Sequence, residues 1–322
     1  MSPPIAVVGG GSFGRSLARA ACRVGQRVIL WSRQARQLDL DSGGTGAGDS
    51  LVTTTHLRDL AQAELVFFAV PSPHVTALAD ELGHFLDGSH LLVHVSRGLL
   101  GPELHTVSEV LASRTPCRRV GALAGPLVAK NLADGHPGGA IIGSAFPEVI
   151  EAVTDAIGGP RLRVYGTDDL VGVEVASALV GLVALALGQA MALRFGSEPG
   201  TLAVLATRGL AEATRVGEAR GGSPRTFAGL AGAGDLIAAV AGDGRPEVEF
   251  GKALAEGLDL RAAAERAGAY VEGAALAAHV AAFGRHHGIQ VPLSLGIAKL
   301  MAGEIDAEQL AEALMARPAK RE

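Results

Sequence analysis

A strand-like segment, a glycine-rich turn and a helix follow one another at the start of the chain, and this order limits the possible folds. A short apolar run leads into GGGSFG at residues 9–14, and leucine and alanine then recur at helical spacing. In a G-x-G-x-x-G turn, Gly9 would permit the tight turn and Gly11 would let a pyrophosphate approach the backbone. Gly14 would let the helix pack closely on the strand. Because the helix N-terminus also offers free N–H groups, the segment predicts a dinucleotide site. A purely structural turn is the alternative.

The end of the second predicted strand bears on which dinucleotide would bind. NAD-binding units usually carry an acidic residue there, which binds the ribose 2′-hydroxyl. This chain instead reads Trp31-Ser32-Arg33. An arginine at this place can face a 2′-phosphate or stack on adenine, so the cofactor is predicted to be NAD or NADP. A solvated surface charge is the alternative interpretation of Arg33.

The two parts of the chain differ in their pattern. Short apolar runs recur at βα spacing up to Leu162–Tyr165, which predicts a parallel sheet covered on both faces. After about Asp168 the pattern is helical to the end. We therefore predict an α/β protein with a Rossmann-type doubly wound sheet in residues 1–167 and an all-helical domain, for substrate and dimerisation, in residues 168–322. Residues 42–50, SGGTGAGDS, are predicted to form a flexible surface loop.

Charge and composition narrow the classes of partner. The net charge of −5 argues against a general nucleic-acid surface. Two cysteines without metal-ligand spacing fit a reducing cytoplasm, and the N-terminus has no signal-peptide pattern. The uncharged stretch from Val175 to Leu193 favours a buried core helix over a membrane span.

Many further segments, in the right order, carry a resemblance to a known family. They include GGGSFG, LWSR, AVPS, RGL, AGPLVAKNLADGHP, RVYGTDDLVGVE, TFAGLAGAGDL, FGKAL and YVEG. The chain resembles the bacterial NAD(P)-dependent glycerol-3-phosphate dehydrogenases over essentially its full length. The resemblance implies a Rossmann domain, a helical domain, a homodimer and interconversion of dihydroxyacetone phosphate with sn-glycerol 3-phosphate.

The cofactor positions of the family carry over well. The resemblance assigns dinucleotide contacts to Ser12, Phe13, Arg33, Ala129 and Glu272. Arg97 stands where the family usually has a lysine, for cofactor and substrate alike, so the charge is kept but the compact ammonium is not.

The substrate positions of the family are largely changed. The motif that carries the proton-transferring lysine reads Leu179-Val180-Gly181 here, so Val180 replaces the lysine and Gly181 an asparagine. Leu127 replaces a hydroxyl residue in contact with the substrate, and Asn131 replaces a nearby acid. These changes predict that the helix around Val180 serves packing rather than proton transfer.

The phosphate-binding segment of the family is altered as well. Aligned without gaps, Arg245, Pro246 and Glu247 replace arginine and asparagine donors, with Glu249 close behind. A shift of one residue would place Arg245 at the arginine position. Two acids beside a phosphate would repel it.

Some polar residues could still serve the substrate. Gly125 and Asp235 are retained, and Asp235 is the best catalytic candidate, with a structural N-cap as its alternative. Lys130, His136 and His74 are titratable too, but surface positions are the simpler interpretation of them.

Three functions remain open from the sequence. The first is the family's dehydrogenase activity with substituted machinery. The second is a dinucleotide-binding regulator or scaffold without catalysis. The third is an oxidoreductase acting on another, non-phosphorylated small molecule that is uncharged or cationic, for which Glu247 and Glu249 would be suitable.

Overall fold

The computed structural model describes residues 3–34, 50–193, 198–242 and 244–316. The chain divides into two compact units, Met1–Ser96 with Thr106–Glu174, and Arg97–His105 with Val175–Glu322. The predicted loop over residues 42–50 falls outside the described residues, except for Ser50. The predicted domain boundary between residues 167 and 168 stays a prediction.

Eight strands form one sheet in the first unit. They are β1 Ile5–Val8, β2 Val28–Trp31, β3 Leu51–Thr54, β4 Leu65–Phe68, β5 Leu91–His94, β6 Val120–Ala124, β7 Gly138–Gly143 and β8 Leu162–Thr167. Their order across the sheet is β3-β2-β1-β4-β5-β6-β7-β8. Strand β1 therefore lies between β2 and β4, with Val8 paired to Trp31 on one side and to Phe68 on the other.

The sheet differs from the predicted one in two ways. The expectation of a purely parallel sheet is wrong at one pairing, because β7 runs antiparallel to β6. Strand β3 was not predicted, since Val52 and Thr53 are exposed and the segment lacks a continuous apolar run. The seven predicted strands are present. The continuous apolar runs of β1, β2, β4, β5 and β6 are explained by burial on both faces of the sheet.

Helices cover the sheet and then form the second unit. They are α1 Ser12–Arg23, α2 Val75–Gly83, α3 Val107–Arg114, α4 Ala129–Asp134, α5 Pro147–Ile157, α6 Leu170–Ala192, α7 Pro199–Ala219, α8 Pro224–Ala228, α9 Asp235–Ala241, α10 Pro246–Ala255, α11 Leu260–Ala267, α12 Glu272–His287, α13 Pro292–Met301 and α14 Ala307–Met315. The predicted class, a Rossmann-type sheet followed by a helical part, is thus confirmed.

Helix α6 is predominantly apolar and has no continuous polar face, although it contains Glu174, Ser177 and Gln189. By length and composition it could cross a membrane, with a mean hydropathy of 2.3, yet 89% of its most apolar window is buried inside the protein. A helix that lacks a polar face and is mostly buried is typical of a protein core. Its burial favours the core helix expected from the sequence. Within the second unit, Val180 and Leu185 of α6 pack in one apolar cluster with Phe250 and Ile297.

Candidate functional site

The glycine turn between β1 and α1 has the geometry that its sequence predicts. Gly9 has a φ of +123°, which strongly favours glycine. A Cβ atom at Gly14 would lie 1.9 Å from the carbonyl oxygen of Gly9, so the third glycine permits the close approach of helix and strand. At Gly11, in contrast, an added Cβ would meet no atom of the described residues within 4 Å. The backbone at Gly11 is therefore open.

The start of α1 suits a pyrophosphate. Gly11 is the N-cap, no side chain caps the helix and the first turn contains no acidic residue. Ser12 is exposed at the first helical position, while Phe13 packs partly on the apolar core of the sheet. The unpaired N–H groups and the positive end of the helix dipole can thus hold an anionic group. These residues fit a dinucleotide.

The end of β2 presents Arg33 beyond the sheet. Ser32 is buried, whereas Arg33 is exposed. Trp31 is held by a hydrogen bond of 3.0 Å from its Nε1 to the carbonyl oxygen of Thr55. An exposed guanidinium next to a fixed strand end can reach a ligand phosphate, although exposure is also what a surface charge would show.

The segment after β6 lies at the same edge as the glycine turn, since β6 runs parallel to its neighbour β5. Gly125 is buried with a φ of +108°. Ala129 is the first residue of α4, and Leu127 packs on the apolar core of the sheet. An apolar Leu127 at this place offers no hydrogen bond to a substrate.

Four charged side chains meet within the second unit. Both oxygens of Asp235 accept hydrogen bonds from Arg245, and Arg97 Nη1 donates to Asp235 Oδ2. Arg245 also donates from Nε to Glu247 Oε2 at 3.1 Å. This Arg97–Asp235–Arg245–Glu247 cluster alternates in sign, so its formal charges cancel. Arg97, Asp235 and Arg245 were predicted to contact the substrate. Glu247 was predicted to repel a substrate phosphate.

The cluster is largely closed to water. The side chain of Asp235 is 1% exposed and that of Arg245 is 13% exposed. Burial alone would raise the pKa of Asp235, but the guanidinium groups of Arg97 and Arg245 outweigh it and hold the pKa below its usual value. Burial would lower the pKa of Arg245, yet Asp235 and Glu247 raise it above its usual value. Both shifts favour the charged forms of Asp235 and Arg245, so the Asp235 carboxylate is paired and ionised at neutral pH.

Two expectations about these residues are wrong. Asp235 is not an N-cap, because α9 begins at Asp235 itself, the N-cap is Gly234 and the carboxylate binds arginines. Glu249 does not join Glu247, because it binds Lys252 at 2.8 Å and approaches Arg266 at 3.7 Å. Residues two apart on a helix point in different directions, so only Glu247 belongs to the cluster.

Val180 is a core residue. It is 0% exposed and packs among the apolar side chains of the second unit. At the neighbouring Gly181, an added Cβ would lie 3.3 Å from Oε1 of Glu247. Helix α12 also comes close, since a Cβ at Gly273 would lie 2.7 Å from the Gly181 carbonyl carbon. The helix therefore offers packing and, through Glu247, a carboxylate at its surface, but no proton-transfer group at Val180.

The remaining candidates are dispersed. His74, Lys130 and His136 are exposed on the first unit, as is Asn131. Glu272 is 8% exposed at the start of α12, in the second unit. His286 and His287 end the same helix, and no group of three or more possible metal ligands occurs among the described residues.

The first unit contains a buried polar group that was not predicted from the sequence. His94, Ser108 and Glu174 form a buried hydrogen-bonded network in the first unit. His94 ends an apolar strand, and the three residues lie far apart in sequence. A histidine directly after the apolar run Leu91–Val93 was the signal that the sequence offered.

Comparison with known proteins identifies the family. The profile described as NAD-dependent glycerol-3-phosphate dehydrogenase N-terminus matches residues 4–150, and the C-terminus profile matches residues 169–312. A glycerol-3-phosphate dehydrogenase [NAD(P)+] of Ectopseudomonas mendocina is 35% identical, over 97% of this chain and 94% of that protein. One of Parvibaculum lavamentivorans is 31% identical, over 99% and 98%.

A solved structure agrees in fold. The crystal structure of glycerol-3-phosphate dehydrogenase from Coxiella burnetii has a TM-score of 0.90 at 27% identity, covering 98% of this chain and 99% of that one. The predicted resemblance is confirmed, and with it the class of cofactor, a nicotinamide dinucleotide. This chain belongs to the NAD-dependent glycerol-3-phosphate dehydrogenase family.

Proposed function

We propose that this chain is a dinucleotide-binding member of its family that has lost most of the family's activity on dihydroxyacetone phosphate. The observation that carries the proposal is the complete burial of Val180 among apolar side chains. At the position where the resemblance implies a proton-transferring lysine, the chain has a group that cannot exchange a proton.

The cofactor part of the proposal depends on the glycine turn. Gly11 and the N-terminus of α1 would hold the pyrophosphate, and Arg33 would contact a 2′-phosphate or the adenine. A reduced nicotinamide held there would supply a hydride for a carbonyl group. The chain's own groups must then supply a proton to the carbonyl oxygen, and this is the step for which Val180 is unsuited.

The charged cluster of the second unit also argues against activity on a phosphorylated substrate. Arg245 is already paired with Asp235 and Glu247, so its charge is matched within the protein. A phosphate would have to compete with two carboxylates for it. Because positioned acid–base groups contribute about 10²- to 10⁴-fold, we expect reduction of dihydroxyacetone phosphate at least about 10²-fold slower than in active relatives.

One experiment separates the two parts of this proposal. Purified protein is titrated with NADH and NADPH by nucleotide fluorescence, with and without dihydroxyacetone phosphate, and its turnover is measured beside the Ectopseudomonas mendocina relative. We expect saturable dinucleotide binding, no change of affinity with dihydroxyacetone phosphate and a turnover at least about 10²-fold below that of the relative. A turnover equal to the relative's would refute the loss of activity, and absence of binding would refute the cofactor site.

A second function is favoured by one observation at Glu247. Its side chain is 7% exposed, its Oε2 binds Arg245, and its Oε1 has no hydrogen-bond donor among the described residues. Since Oε1 also faces the bare backbone of Gly181, it could accept a hydrogen bond from a hydroxyl or ammonium group. An oxidoreductase acting on a non-phosphorylated carbonyl compound would use it in this way.

The two functions differ in what Glu247→Gln should do. If Glu247 binds the substrate, dinucleotide oxidation with neutral or amine-bearing carbonyl compounds should fall in Glu247→Gln but not in the control Glu249→Gln. If no such compound is reduced by the wild type, the second function is excluded for the compounds tested. The proposal also includes a homodimer, a cytoplasmic location and a domain boundary between residues 167 and 168. Light scattering of the purified protein tests the homodimer directly.

A further inference from the structure

The chain passes between the two units at three places. It leaves the first unit after Ser96, returns to it at Thr106, and leaves again after Glu174. The first two passages enclose a short excursion, Arg97–His105, which belongs to the second unit and begins with Arg97 of the charged cluster. Arg97 directly follows the first passage, so whatever fixes the chain at that passage also limits where Arg97 can lie.

One buried network in the first unit has a member next to each passage. His94 is two residues before the first, Ser108 is two residues after Thr106, and Glu174 is the last residue before the third. His94 Nε2 donates to Glu174 Oε1 at 2.7 Å, and the Ser108 N–H donates to the same oxygen at 2.9 Å. The Ser108 hydroxyl donates to Glu174 Oε2 at 2.5 Å. A single carboxylate thus links all three chain segments.

The network is buried deeply enough to be specific. The side chains of His94 and Glu174 are 2% and 1% exposed. His94 Nδ1 has no hydrogen-bond partner in the part of the chain that the structure describes, so the bond to Glu174 is the one that orients the ring. Thr106 extends the network, with its Oγ1 lying 3.0 Å from the Ser108 hydroxyl. Leaving such donors without a carboxylate would carry a large desolvation penalty.

The excursion itself is tightly closed. Leu100 and His105 exchange two backbone hydrogen bonds of 2.8 and 2.9 Å. Leu104 is fully buried with a φ of +54°, a conformation that costs a non-glycine residue energy. Such a conformation persists only where the surroundings enforce it. The ends of the excursion must therefore be held, and the network lies next to both of them.

We propose that His94, Ser108 and Glu174 are positioning residues for Arg97. By tying the three passages together, they fix both ends of the Arg97–His105 excursion and thereby hold Arg97 in place to pair with Asp235. The proposal does not depend on a cofactor or a substrate, so it can hold whether or not the chain is active.

The chain contains a matched control for a purely structural role. Glu212 of α7 is 3% exposed and accepts hydrogen bonds from Leu293 N–H, Ser294 N–H and the Ser294 hydroxyl at 2.8, 2.9 and 2.6 Å. It therefore has the same burial and nearly the same donors as Glu174. Its partners begin α13, within the second unit and far in sequence from the three passages.

Amide hydrogen exchange of the full-length protein, without ligand, tests the proposal. Glu174→Met removes both acceptor oxygens, and Glu212→Met does the same at the control. Glu174→Gln is the conservative variant, since its oxygen can accept from His94 and Ser108 N–H while its amide donates to the Ser108 hydroxyl. The reporting amides are Leu100, Leu104 and His105.

We expect Glu174→Met to speed exchange at these three amides at least about tenfold, with α13 unchanged. Glu212→Met should speed exchange in α13 but not in the excursion, and Glu174→Gln should stay near the wild type. Equal acceleration throughout the chain in Glu174→Met, or none in the excursion, overturns the proposal. If Glu174→Met does not fold, Ser108→Ala, which removes a single hydroxyl, gives the same comparison with a smaller rise.

Discussion

Arg245 donates two hydrogen bonds to Asp235, from Nη1 to Oδ1 at 2.8 Å and from Nη2 to Oδ2 at 3.2 Å. This bidentate geometry is the strongest that an arginine and a carboxylate can form. Arg97 adds a further bond to Oδ2. A carboxylate held in this way is a poor proton carrier at neutral pH, so we expect Asp235 to stabilise the cluster rather than to transfer a proton.

Substituting Asp235 should therefore be costly, and the cost should depend on pH. Asp235→Asn would leave two guanidinium groups partly buried beside a neutral amide. Removing one partner of a buried ion pair typically costs about 3–5 kcal/mol of unfolding free energy. Because the folded-state pKa of Asp235 is below the unfolded one, its stabilisation is complete above the unfolded pKa and is lost as the pH falls through the folded pKa.

Urea unfolding at pH 7 and at decreasing acidic pH checks this dependence. The stability difference between wild type and Asp235→Asn should be largest at pH 7 and should shrink below about pH 4. Glu249→Gln, which affects a more exposed pair on α10, is the control and should change stability by less than about 1 kcal/mol. A difference that stays constant with pH would contradict the pairing.

Glu212 should show the opposite dependence on pH. Burial raises its pKa, although hydrogen bonds from Ser294 and Leu293 offset part of the effect. Its folded-state pKa is therefore above the unfolded one, so its contribution to stability is complete below the unfolded pKa and is lost as the pH rises through the folded pKa. Glu212→Gln should lose this dependence. The loss of unfolding free energy relative to the wild type should therefore be smaller at pH 7 than at pH 4. Unfolding curves at the two pH values measure the difference.

A lysine at position 180, where the resemblance implies one, should not restore the family's activity. Val180→Lys places an ammonium group in an apolar cluster, at a side chain that is 0% exposed. We expect a loss of at least about 3 kcal/mol in unfolding free energy and no useful gain in dihydroxyacetone phosphate reduction. Val204→Lys on α7, where the valine is 57% exposed, is the control and should change stability by less than about 0.5 kcal/mol. Activity approaching that of the relatives would show that the rest of the site is intact.

The sheet was predictable because burial on both faces leaves long apolar runs in the sequence. Strand β1 and the GGGSFG turn gave the first βα unit almost residue by residue. Strand β3 escaped because Val52 and Thr53 are exposed. The antiparallel direction of β7 could not be recognised either, since an apolar run has the same composition whichever way the strand runs.

The site was predictable where its geometry is local and unpredictable where it depends on distant partners. Gly9, Gly11 and Gly14 act through their own backbones, so their spacing was informative. Whether Glu247 and Glu249 face the same group depends on helix α10 and its neighbours, and the structure separates them. The link between His94 and Glu174 spans 80 residues, and no local pattern encodes it.

The preference between the two dinucleotides should depend on Arg33. The residue is exposed after β2, where an acidic residue would favour NAD. Arg33→Ala should weaken NADPH binding by about tenfold, in line with the loss of one charge-assisted contact, and should weaken NADH binding much less. Fluorescence titration with each nucleotide gives the ratio. Equal losses for the two would indicate stacking on adenine, and no loss for either would make Arg33 a surface charge.

The glycine turn allows fold and cofactor binding to be tested separately, because two of its glycines differ in what surrounds them. An added Cβ at Gly11 meets no atom of the described part of the chain within 4 Å, whereas one at Gly14 lies 1.9 Å from the Gly9 carbonyl oxygen. Gly11→Ala should therefore leave unfolding unchanged within about 0.5 kcal/mol. It should weaken dinucleotide binding at least about tenfold, since the methyl group stands where a pyrophosphate approaches the backbone.

Gly14→Ala should instead destabilise the first unit by about 2 kcal/mol, because the helix must move away from β1 to admit the methyl group. Thermal unfolding without nucleotide, followed by titration with NADH and NADPH, measures both effects on the same samples. If Gly11→Ala bound both nucleotides as tightly as the wild type, the turn would serve only to pack α1 on the sheet, and the dinucleotide would have to be held elsewhere. A pyrophosphate over Gly11 requires two results together. Gly11→Ala must be stable but bind nucleotide weakly, and Gly14→Ala must be unstable.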